Sequence, residues 1–72
     1  MTTAIENRMK KLEVWSKWLD LAAVCDIDLV AKYRPLKTAS WQTILYRTSL
    51  LRQAQADRRA RIDSDLLQEI AG

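Results

Sequence analysis

Apolar residues recur along this chain at helical spacing, and in its first third they do so on two faces at once. Ile5, Met9, Leu12, Leu19 and Ala23 fall on one side of a helix turning about 100° per residue. Val14, Trp18, Leu21 and Cys25 form a second stripe on nearly the opposite side. One stripe can face the chain's own core, and the other needs a cover.

The pattern then supplies further helices. Thr2 or Thr3 can cap the first, and Glu6 stands where the partner of Thr3 in a capping box would be. Nothing breaks that helix until about Cys25, after which Asp26 and Asp28 mark a connection, as aspartates accept from exposed N–H groups at helix starts. A short helix follows near residues 28–34 and ends before Pro35, because proline disfavours α geometry in the residue preceding it. Thr38 or Ser40 then caps a long helix from about Trp41.

The stripe Trp41, Ile44, Leu45, Thr48 and Leu51 should pack on the first helix. Along the same face it meets Gln55, Arg58 and Arg59, then turns apolar again at Ile62, Leu66 and Ile70. Either the helix outruns its partner and leaves a basic turn in water, or it breaks near Asp63–Ser64 and a last piece, capped by Ser64 or Asp65, folds back. The break is the expectation adopted.

The predicted fold is all-α: a small bundle, residues 1–72 forming one domain, built on a helical hairpin. Its antiparallel long helices cover about 4–25 and 40–61, with short helices near 28–34 and 64–70. The expected core is Ile5, Met9, Leu12, Trp15, Leu19, Trp41, Ile44, Leu45, Leu51 and Ile62. Val14, Trp18 and Leu21, with Tyr46 and Leu50 on the other long helix, are then left facing outward. An exposed Val, Leu or aromatic forgoes roughly 1.5–3 kcal/mol relative to burial, so this face is expected to be a protein interface, completed by a homodimer or another protein. Trp18 and Tyr46 would anchor it, since Trp and Tyr join large apolar area to a polar tip.

Composition agrees with helix. A chain of 72 residues with one Gly and one Pro lacks the turns of a small β protein. Its single cysteine cannot make an intrachain disulfide, which fits a reducing compartment. No apolar run approaches the roughly 18 residues of a membrane span, and none follows Lys10 and Lys11 as in a signal peptide. A cytoplasmic protein that neither crosses nor coats a membrane is the expectation, with Glu6, Glu13 and Asp20 set against a lipid-facing first helix.

Charge is segregated. Residues 1–30 balance at −1, residues 31–62 at +7 and residues 63–72 at −3. The basic patch consists of Arg47, Arg52, Arg58, Arg59 and Arg61; helical spacing gathers Arg47, Arg58 and Arg61 on one side and Arg52 and Arg59 on another. Such a patch can steer an acidic protein partner or touch nucleic-acid phosphates. Leu21, Ala22, Cys25 and Ile27 echo the first helix and turn of a helix-turn-helix, but Asp26 stands where the turn wants Gly, and Pro35 falls in the would-be recognition helix.

Chemistry has little to build on. The chain has no His, Cys25 therefore lacks a partner to make it a thiolate, and Ser40 and Ser49 lack an activating base. Asp26/Asp28 and Asp63/Asp65 read as helix-capping residues before they read as metal ligands. No catalytic residue, metal or cofactor is assigned. The expected function is a non-enzymatic regulator or adaptor that docks a protein partner; the alternative is a small dimeric nucleic-acid-binding protein using the Arg-rich third helix.

Overall fold

In a computed structural model, which describes residues 4–71, the chain is three α-helices: α1 (Ala4–Ala22), α2 (Ile27–Tyr33) and α3 (Trp41–Ala71). Both α1 and α2 pack on α3. Thr2 and Thr3, and with them the capping box to Glu6, lie outside the described residues.

Local chemistry sets the ends. α1 closes without a glycine, through tight backbone bonds from Val24 N–H to Leu21 O (3.1 Å) and Cys25 N–H to Ala22 O (3.4 Å). Arg34, before the buried Pro35, is extended at φ −57° and ψ 124°, and there α2 stops. Ser40 caps α3: its Oγ accepts from Thr43 N–H at 3.3 Å and lies 3.1 Å from Thr43 Oγ1.

The two long helices run parallel, not antiparallel. Lys10 Nζ sits 5.5 Å from the Trp41 ring, and Lys11 Nζ donates to Lys37 O at 2.7 Å, so the early turns of α1 lie beside the start of α3. At the other end, Asp26 N–H donates to Gln55 Oε1 at 3.0 Å and Arg58 reaches Asp28 at 2.8 Å. A hairpin was expected because short connections favour antiparallel neighbours. Here residues 23–40 are long enough to carry the chain back, α2 included, before α3 sets out again in the direction of α1.

This geometry explains the core. Positions 11, 14, 18, 21 and 25 of α1 and its following turn are buried or half-buried, as are 41, 44, 48, 51, 55 and 58 of α3. Both sets step by three and four residues, and the Asp28–Arg58 pair carries the shared offset of 30 past the end of α1. Two matched seams with a 3.5-residue repeat can stay in contact along parallel helices.

The core is Val14, Trp18, Leu29, Val30, Ile44 and Leu51, with Trp15, Leu21, Cys25, Tyr33 and Trp41 packed against it. Thr48 is buried among them and donates its hydroxyl to Ile44 O at 2.7 Å. The expected core was therefore right for Ile44 and Leu51, partly right for Trp15 and Trp41, and wrong for Ile5, Met9, Leu12, Leu19, Leu45 and Ile62, which are exposed. On α1 the two stripes exchange roles. The one carrying Trp18, whose indole is the largest apolar surface on either stripe, goes inside.

α3 does not break at Asp63–Ser64; it is one helix of 31 residues, about 46 Å long. From Arg59 to Ile70 every residue is exposed. This tail gives the chain a longest dimension of 61 Å against 20 and 15 Å across.

Candidate functional site

The outer stripe of α1 is the candidate site. Ile5 is 69% exposed, Met9 64%, Leu12 65% and Leu19 51%. With Ser16 they fall at positions 5, 9, 12, 16 and 19, again a three–four repeat, shifted by two residues from the buried seam. Two residues turn a helix by about 200°, so the seams lie back to back.

The open seam borders a shallow groove lined by Arg8, Lys11, Leu12, Trp15 and Lys37. Trp15 and Leu12 make its floor apolar, while three cations rim it. The Lys11–Lys37 hydrogen bond ties α1 to the segment before α3 and fixes the rim. On the opposite flank Glu13 is bridged along the helix to Lys17 at 3.7 Å and Lys10 at 4.0 Å. A second apolar depression, lined by Leu19, Ala22, Ala23, Ile27, Val30, Ala31 and Arg34, continues the face onto α2.

The residues assigned to an outward interface are not brought together. Val14 and Trp18 are 1% and 0% exposed and belong to the core, so neither can meet a partner without unfolding. Leu21 packs against that core and Leu50 is half-buried. Tyr46 alone of the five is well exposed.

The basic patch divides. Arg58 forks onto Asp28, with Nη1 to Oδ1 at 2.9 Å and Nη2 to Oδ2 at 2.8 Å, and its Nη1 also meets Asp26 Oδ2 at 3.0 Å. This bidentate contact holds Asp28 below the usual carboxylate range and raises the affinity of Arg58 for its proton. Asp26 occupies the N-cap position of α2 but makes no side-chain cap bond; its carboxylate serves Arg58 instead. Arg58 thus locks the start of α2 to α3. Arg52 and Arg59 flank one shallow groove with Cys25 and Gln55, Arg61 is exposed on the tail, and Arg47 is half-buried.

Burial, and then the Asp26 charge, push the Cys25 thiol up, which keeps it protonated and suits a packing residue. Among the described residues no three His, Cys, Asp or Glu side chains gather as metal ligands would, and no helix is long and apolar enough to cross a membrane.

These features define an elongated three-helix protein whose first helix is apolar on both faces, one facing inward and one left open. Compared with protein-family models, curated proteins and solved structures, the chain has no match.

Proposed function

We propose that this chain is a non-enzymatic interaction protein, a regulator or adaptor, that docks a helical segment of a protein partner on the open face of α1. The observation that carries the reading is the exposure of Ile5, Met9, Leu12 and Leu19 at coiled-coil spacing on a helix whose other seam already holds the core. A contiguous apolar strip of this kind on a small protein marks a binding surface more often than a solvated one. The cationic rim of Arg8, Lys11 and Lys37 favours an occupant that is apolar on one side and acidic beside it. Steering by Arg47, Arg58 and Arg61 is replaced by this rim, because Arg58 is held by Asp26 and Asp28.

The test is a photo-crosslinking residue placed at Leu12 in living cells, with the same residue at exposed Lys32 as control. A discrete protein adduct at Leu12, lost on Met9→Asp, is expected. Adducts to nucleic acid, or oligonucleotide binding that collapses with salt on Arg52→Ala/Arg59→Ala, would replace the proposal by the nucleic-acid alternative. No adduct at all would sink it.

A further inference from the structure

We infer that the occupant of the α1 face is the α3 tail of a second copy of this chain, laid antiparallel and exchanged reciprocally; this rests on the reading of α1 as a docking face.

The chain carries an uncovered apolar surface on α1 and another on the α3 tail. The first part of the α1 stripe, Ile5, Met9 and Leu12, runs about 10 Å before Ser16 and Leu19; on the tail Ile62, Leu66 and Ile70 run about 12 Å, enough to cover that part. They cannot meet within one molecule. α1 and α3 are parallel, Gln55 is already level with the end of α1, and the tail points onward, away from Ile5. Each surface therefore needs a cover that its own chain cannot supply.

Register and charge select the orientation. In an antiparallel arrangement Ile70, Leu66 and Ile62 lie opposite Ile5, Met9 and Leu12. The same register sets Arg59 opposite Ser16, the one polar member of the open seam, with Glu13 a turn away. In either orientation Asp65 comes within a turn of Arg8 on the cationic flank, and Asp65 has no ion-pair partner among the described residues, so this pair supports the tail as occupant and leaves its direction to Arg59. A parallel arrangement would carry Arg59 past the start of α1, away from Glu13.

Symmetry adds a second reason. An antiparallel exchange is two-fold and closed: each tail covers Ile5, Met9 and Leu12 of the partner's α1, and both tails are covered at once. A parallel, head-to-tail arrangement leaves one surface open at each end and grows into a chain of copies. In the closed dimer each end holds α1, α2 and the first half of α3 from one protomer, with the tail of the other.

The full-length chain on size exclusion with light scattering should give about twice its 8.3 kDa mass. Met9→Asp and Leu66→Asp should each give monomers that keep their helical circular dichroism. Arg8→Asp and Asp65→Arg should each weaken self-association at least tenfold, and an equimolar mixture of the two should recover a 1:1 dimer. In a Cys25→Ala background, chains carrying Met9→Cys and Leu66→Cys should crosslink to each other under mild oxidation. A crosslink of Met9→Cys with itself, or a dimer indifferent to Leu66→Asp, would overturn the tail as occupant. A wild-type monomer up to its solubility limit would overturn self-association altogether. In that last case, a Leu12 crosslink in cells to a protein other than this chain would leave the docking reading standing; its absence would remove both.

Discussion

Truncating Trp18 to alanine separates the two faces of α1 more sharply than any other single change. Trp18 is fully buried, and its neighbours in the core are the similarly buried Val14, Ile44 and Leu51. Removing a buried Trp costs about 3–5 kcal/mol in transfer and cavity terms. A domain of 72 residues has roughly 4–11 kcal/mol in total at typical stabilities per residue. Trp18→Ala should therefore lose about half of the stability or unfold outright. Trp18→Phe should be much milder, because the Trp18 indole N–H is buried with no partner and its removal recovers about 1–3 kcal/mol of desolvation penalty against the lost volume. Leu12→Ala, on the open face, should change the stability of the monomer by no more than about 0.5 kcal/mol. The assay is urea denaturation followed by far-UV circular dichroism, at protein dilutions where light scattering gives a monomer. A Trp18→Ala curve within about 1 kcal/mol of wild type, beside a Leu12→Ala loss of about 2 kcal/mol or more, would refute the assignment of faces.

Three further outcomes follow from particular contacts. Asp28 has a folded pKa below its unfolded one because of Arg58, so its contribution is complete above about pH 4 and disappears as pH falls through the lower folded value; thermal midpoints of wild type and Asp28→Asn should differ at neutral pH and converge in acid, and a gap that persists there would contradict the pairing. Ser40→Ala should cost about 0.5–2 kcal/mol in a denaturant melt, and Ser40→Asp should retain most of it, because the bond to Thr43 N–H is an N-cap. Cys25, with its thiol pushed up by burial and Asp26, should alkylate several-fold more slowly in the folded chain than in urea at neutral pH, and an equal rate would place it outside the packed seam.

Element types and most ends were legible because they depend on neighbours in sequence. Pro35 stops α2 through a clash with the residue before it, and Ser40 caps α3 through a donor three residues on. The polar stretch at Gln55 and Arg58 was also visible as an interruption of an apolar seam. What it meant was not, because its explanation lies on another helix. α1 has ended at that level, and the start of α2 supplies Asp26 and Asp28 in its place. Arg58 therefore completes the packing surface rather than adding to a free basic patch.

The choice of face on α1 was illegible for a deeper reason. Periodicity reports that a stripe is apolar, not what it meets, and both stripes have the same repeat. Three physical facts decide between them. The inner stripe contains Trp18, it continues through Leu21 to Cys25, and it shares its phase with Trp41, Ile44, Thr48 and Leu51 at one constant offset. A three–four repeat can pair in either direction, so the phase picks the face while the contacts at the two ends, Lys11 with Lys37 and Asp26 with Gln55, set the direction. Neither end contact is visible in the periodicity, because each joins residues 26 or more positions apart.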